Sequence, residues 1–226
     1  MLFRWISSVV STPFYRFRRA EGGVSAVEFA IIAPVLFTLF CGSIELSRVV
    51  TASNRATFVA ETIAQLVSQV DKTLTAKEIS AFMATSLLIN PDILDYQRQT
   101  NVSVDNAVNI NVSSVIFTLK IPTCTVSCEY NAIVIFSQRN NNIGPTRSCG
   151  LLQPAADNAT PSPATLPISM YGPVSLVVVD IQVFIKPIFT FLYTGEVKFT
   201  RSAYYRPRLV DRTNSNFNCP GYMVTS

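Results

Sequence analysis

Apolar and polar positions fall into three regimes along the chain. From Phe29 to Ile44 no charged residue occurs, and Val24 to Leu46 makes 23 residues interrupted only by Glu28 and Glu45. That length crosses a bilayer as a somewhat tilted helix. Beyond Leu46 the helical period continues: Val49, Ala52, Ala56, Val59, Ile63, Leu66 and Val70 recur at alternating spacings of three and four, and neither glycine nor proline interrupts residues 43–70. The pattern predicts one helix from Val24 to Val70, about 70 Å long at 1.5 Å per residue. Its outer seam suits packing against the chain's own globular part, packing against neighbouring helices in an assembly, or both.

A second helix is announced by Thr75-x-x-Glu78, a capping box, with Leu74 and Ile79 at the spacing of a hydrophobic staple. It is expected to run through Phe82, Met83, Leu87 and Leu88 until Asn90-Pro91 stops it. Asp92 and Asp95, beside that proline, read as turn formers. The period then becomes that of strands, in Val102 to Lys120, Ala132 to Ser137, Val174 to Lys186 and Glu196 to Tyr205. Asp180, inside the third of these, needs a partner or an exposed face. Residues Arg139 to Pro173, rich in Asn, Pro, Ser and Thr, read as one long loop and a candidate contact surface. The resulting organisation is a basic leader (1–23), a transmembrane helix (24–46), its continuation (47–70), a second helix (71–91) and a β-rich head (92–226). The fold class is α+β, with an antiparallel β-sheet packed on the helices.

Composition sharpens this picture. Of 226 residues, 49% are hydrophobic and 14% charged, too apolar for a disordered chain. The formal charge of +4 belongs mainly to the leader: Arg4, Arg16, Arg18 and Arg19 against Glu21 account for three units, so residues 24–226 carry only +1. Little electrostatic case for nucleic acid remains. The same arginines, beside the first apolar span, predict a cytoplasmic N-terminus and an exported head. The span exceeds a secretory signal core and has no evident Ala-x-Ala exit, which favours an anchor.

Cys41 falls within the span as a small apolar filler. Cys124, Cys128, Cys149 and Cys219 fall in the exported part, an even number suited to an oxidising compartment. Three pairings are open; the favoured one closes a short loop with Cys124 and Cys128 and lets Cys149 pin Cys219. A zinc site is the rival, against which stand the absence of histidine and spacings unlike a zinc ribbon. The lack of histidine also removes Ser-His-Asp, Cys-His and HExxH chemistry. No glycine-rich phosphate loop occurs, and no cofactor is expected. Lys198, Arg201, Arg206, Arg208 and Arg212 form a basic cluster that reads as a solvated edge or, alternatively, as a surface for an acidic partner.

One stretch joins the leader to the span: Gly23, then Val24 to Val27, then Glu28-Phe29. A carboxylate within an anchor is costly and needs a partner. Cutting the chain after Gly23 would supply one, because the new amine on Val24 lies about one helical turn before Glu28 and the carboxylate sits near the positive end of the new helix. The motif resembles the site at which prepilin peptidases cut type IV pilin-like proteins. The longer string RRAEGGVSAVEFAIIAPVLFTLFCGSIELSR, with Pro34 and Glu45-x-x-Arg48, is similar to the opening of TadE/TadG-like proteins of the tight-adherence (Flp) pilus system. The ending Lys198 to Arg208, with Arg206-Pro207-Arg208, resembles the C-terminal strand of the same family.

The resemblance implies a pilin-like fold and a minor pilin or pseudopilin of a tight-adherence pilus, needed for pilus assembly and surface adherence. Gly23 and Val24 would flank the peptidase cut, and Glu28 and Phe29 would serve recognition and assembly. Its partners would be a prepilin peptidase, other pilins or pseudopilins, the pilus assembly platform and the lipid bilayer. Its place would be the bacterial inner membrane, single-pass, with the head periplasmic or carried into a surface pilus. Such a protein catalyses nothing itself. Two other readings stay open: an uncleaved single-pass scaffold of the secretion machinery or cell-wall contact, and a tethered envelope enzyme with a Ser-Lys site.

Overall fold

Alternation of 3.6-residue and two-residue periods gives way, in the computed structural model, to one long helix, four short ones and six strands among the described residues. The structure describes residues 22–71, 73–141, 144, 146–191, 193–209, 213 and 219. The expected leader therefore lies outside the described residues up to residue 21, as does Arg212. The chain forms two compact units, Met1–Leu46 and Ser47–Ser226. Helix α1 (Gly22–Ser68) supplies the described part of the first unit and the opening element of the second.

Within the second unit, α1 buries Ala52, Ala56, Val59, Ala60, Ile63, Ala64 and Val67. From Ala56 onward these side chains join a core with Val108, Ile110, Val112, Phe136, Val177, Val179, Ile181 and Val183. The predicted seam is thus turned toward the head, with one correction: Ala60, Ala64 and Val67 are buried while Leu66 is only half-buried. A helix lying on a sheet buries a stripe wider than a heptad seam, and its 3.6-residue period drifts from 3.5 over successive turns.

Helix α2 (Ala76–Ala84) begins at the expected capping box. The Glu78 amide donates to Thr75 Oγ1 at 3.3 Å, and the Thr75 amide donates to Glu78 Oε2 at 2.9 Å. Leu74 and Ile79, the staple pair, are both fully buried. The helix does not run unbroken to Asn90, because Thr85 interrupts it before α3 (Ser86–Ile89). Asp92 and Asp95 are not turn formers. They occupy the first turn of α4 (Asp92–Thr100), where carboxylates complement the helix dipole, with Pro91 at the cap and Arg98 in the last turn. Asn101, at φ 55°, ends α4 in the left-handed region, and α5 (Val104–Ala107) adds one turn.

The strands are β1 (Val108–Leu119), β2 (Tyr130–Arg139), β3 (Gly150–Ala155), β4 (Thr165–Pro167), β5 (Leu176–Ile185) and β6 (Val197–Tyr205), in spatial order β4-β3-β2-β1-β5-β6. All pairs are antiparallel except β3 with β4, so the sheet is mixed. The span Arg139 to Pro173, expected as one loop, contains β3, β4 and a 3-10 turn at Ile168–Met170. These strands are short and carry Pro154 and Pro167, residues that a sheet tolerates near its edge.

Both faces of the sheet are covered. The α1 face holds the core just described, and the other face holds Val115, Ala132, Val134, Leu152, Leu166, Leu176, Val178 and Cys219. A register shift opposite Ser114/Val115 leaves Ile135 as the extra residue of β2, which sends Val134 and Phe136 to opposite faces. The Ile135 carbonyl accepts a hydrogen bond from the Cys219 amide at 2.7 Å. Disulfides join Cys124 to Cys128 and Cys149 to Cys219, the second fastening the C-terminal segment to this face. Asp180 is buried here and meets Arg147, which arrives from the β2–β3 connection.

Candidate membrane anchor and processing site

In the described part of the first unit, α1 leaves most of its apolar side chains exposed. Val27, Phe29, Ile31, Ile32, Val35, Leu36, Phe37, Leu39 and Phe40 are all exposed, Phe29 by 68% and Phe37 by 60%. Apolar residues all round a helix suit a lipid environment. The helix from Ser25 onward reaches a mean hydropathy of 2.1 in its most apolar stretch, enough by length and composition to cross a membrane. Two of its hydroxyls bond the helix backbone. Thr38 Oγ1 donates to the Pro34 carbonyl at 2.7 Å, and Ser43 Oγ donates to the Phe40 carbonyl at 2.8 Å. Pro34 removes one N–H from the ladder, which membrane helices tolerate. Cys41 is buried and carries a free thiol.

Gly23 and Val24 lie in the first turn of α1. The peptide bond expected to be cut is therefore helical, whereas the sequence pattern places the helix start at Val24. Two consecutive glycines, Gly22 and Gly23, make this turn the least costly part of the helix to unwind, each by about 1 kcal/mol relative to alanine. Glu28 and Phe29 follow about one turn later, and both are exposed. The structure thus brings Gly23, Val24, Glu28 and Phe29 onto one short helical segment at the start of the apolar run.

The other expected site residues lie in the second unit. Of the basic cluster, Arg201 donates to Ser53 Oγ at 2.6 Å and to the Thr200 carbonyl at 3.0 Å, and the Arg208 amide donates to the Ser68 carbonyl at 2.9 Å. These residues hold β6 and the chain after it along α1. Sequence reading missed Arg55, which pairs with Asp92 at 3.0 Å and ties α1 to the start of α4. The signal was an arginine in the helix beside an acidic helix start, but nothing in the sequence sets their proximity.

Two clefts open on the head. One of about 590 Å³ is bordered by Lys77, Ser80, Met83, Asp105 and Arg139. The other, of about 540 Å³, lies beside Glu129, Tyr130, Gln153 and Tyr171. Ser80 borders the first cleft together with Lys77, and its Oγ donates to the Lys77 carbonyl at 2.9 Å. Among the described residues no group of three or more His, Cys, Asp or Glu could hold a metal ion.

Residues 23–65 match the family of TadE-like proteins, the resemblance expected from the sequence. The match begins at Gly23 and covers the apolar segment and the part of α1 that packs on the head. No curated protein and no solved structure matches the chain.

Proposed function

We propose that this chain, whose TadE-like segment links it to tight-adherence pilus systems, is a minor pilin or pseudopilin matured by a prepilin peptidase and needed for pilus assembly and surface adherence. The observation that carries the reading is the TadE-like match over residues 23–65, which covers Glu28, Phe29 and the apolar run after them. In this reading residues 1–23 are removed, α1 holds the protein in the inner membrane, and the head stands on the periplasmic side. Gly23 admits the peptidase to the scissile bond because a side chain there would obstruct it. Glu28 then pairs with a freed Val24 amine, its own or a neighbour's, and the second option sets subunit register within an assembly. The protein is a substrate and a structural partner, and it catalyses nothing.

A second reading is favoured by one observation: α1 runs through the Gly23–Val24 bond without a break, and a proteolytic site must unwind. An uncleaved single-pass scaffold of the same machinery would keep this helix intact. The two readings separate on the N-terminal residue and intact mass of the protein purified from its native membranes. A chain starting at Val24 is expected. A chain starting at Met1, in cells with active prepilin peptidase, overturns maturation and leaves the scaffold.

A further inference from the structure

The connection between β5 and β6 carries an apolar surface that the pilus reading does not use. Pro187 ends β5, and Ile188, Phe191 and Tyr193 then stand exposed, Phe191 by 62% and Tyr193 by 51%. Phe189 and Phe191 meet edge to face with ring centres 5.9 Å apart, so the tip is a small aromatic cluster rather than scattered residues. Lys186 and Lys198 flank it. A soluble head has no need to display such a cluster.

Contacts within the head fix where this loop lies. Arg201 bonds Ser53 and Arg208 bonds Ser68. The fifteen helix residues between these anchors span about 22 Å at 1.5 Å each, and the seven residues from 201 to 208 span about 23 Å at 3.3 Å each. Strand β6 therefore runs alongside α1 in the same direction. Followed backward from Arg201 to Val197, it travels about 13 Å, whereas α1 needs only about 9 Å from Ser53 back to Ser47. The β5–β6 loop thus lies at the end of the head where Ser47 joins the apolar segment.

We propose that Ile188, Phe191 and Tyr193 make a second membrane contact, in which Phe191 and Tyr193 enter the headgroup region of the bilayer that holds residues 24–46. Aromatic side chains are favoured at that depth because one end is apolar and the other wet, and flanking lysines meet anionic headgroups. The inference rests on residues 24–46 spanning a bilayer and is independent of pilus assembly.

The test uses the full chain reconstituted in phosphatidylethanolamine/phosphatidylglycerol vesicles. Trp5→Phe removes the native indole, and Phe191→Trp, Leu151→Trp and Phe37→Trp are then read separately. Leu151 is an exposed control, paired with Ile133 toward the opposite end of the sheet. An indole at 191 is expected to have blue-shifted emission, to lose most iodide quenching relative to position 151, and to be quenched by lipids labelled near the headgroup. Position 37 is expected to be quenched by lipids labelled deep in the chain. Quenching at 37 with free iodide access at 191 overturns the loop contact and leaves the anchor standing. Iodide protection at 191 without lipid quenching points to a protein neighbour and also overturns it. Iodide access at 37 removes the anchor and the loop contact together.

Discussion

Arg147 closes on Asp180 with two hydrogen bonds, Nε to Oδ2 at 2.7 Å and a terminal guanidinium nitrogen to Oδ1 at 2.9 Å, and both side chains are almost wholly buried. A third donor of Arg147 reaches the Thr165 carbonyl at 2.7 Å, and Ser202 Oγ also donates to Asp180. The guanidinium therefore ties β5 to β4 through a segment that has no regular structure, and the carboxylate adds β6. Removing one partner leaves a buried charge uncompensated, which costs about 3–5 kcal/mol. Arg147→Met and Asp180→Leu should each lower the urea midpoint of the detergent-solubilised protein sharply. The double variant should be less destabilised than either single one, since two apolar residues leave no orphaned charge.

The disulfides should contribute unequally. Cys149 and Cys219 are separated by 70 residues, Cys124 and Cys128 by 4. By loop-closure entropy the first stabilises by about 4 kcal/mol and the second by about 2 kcal/mol. Cys149→Ser should therefore destabilise the protein about twice as strongly as Cys124→Ser in denaturation measured without reductant. Equal losses would show that closure of the long loop is not what holds the C-terminal segment.

These two stabilising features differ in how far the sequence revealed them. Thr75-x-x-Glu78 was legible because a capping box is local, and the disulfide pairing was the favoured one of three because short separations limit the choice. Asp180 was recognisable as needing a partner, but Arg147 was not, since its approach depends on β3 and β4 folding within a Pro-, Asn- and Ser-rich stretch. Those strands are short, and their pairing, not their propensity, makes them strands. Helix α4 was missed differently. Pro91, the acidic first turn and Arg98 are ordinary helix signals, but Asn90-Pro91 reads equally well as a stop for the helix before it. The long apolar helix, apolar enough to cross a membrane, is legible in the sequence, because no tertiary contact has to be known to recognise an apolar run of this length.

Tyr96 should make stability fall in alkali. Its hydroxyl donates to Glu196 Oε2 at 2.8 Å and its ring stacks on Phe184 at 5.6 Å. Burial first, then the hydrogen bond to Glu196 and its negative charge, push the phenol up to about 12 from its ordinary value of about 10. The raised value means that the folded state keeps a proton the unfolded state gives up. Stabilisation is therefore complete below about pH 10 and lost as pH rises through about 12. Burial also raises Tyr171 and Tyr204, so Tyr96→Phe should flatten the alkaline decline in urea midpoint only in part. An unchanged decline would mean that the Glu196 contact does not persist in solution.

Glu28 offers the sharpest test of the assembly reading, because its two roles predict opposite responses to the same substitution. If the carboxylate merely burdens the anchor, Glu28→Leu lengthens the uninterrupted apolar run and should leave membrane insertion and surface filaments intact or improved. If it pairs with the amine freed at Val24, the same variant should insert normally, be processed normally and yield few or no filaments, since the register contact is gone. The pairing also predicts an order of dependence. Gly23→Val should leave a longer precursor with no free amine at position 24, so adding Glu28→Leu to Gly23→Val should cause no further loss. Insertion is read from the membrane fraction, processing from the intact mass, and assembly from filaments counted by electron microscopy. Normal filaments from Glu28→Leu would sink the register argument, because a carboxylate that can be replaced by leucine is not specifying which neighbour it meets.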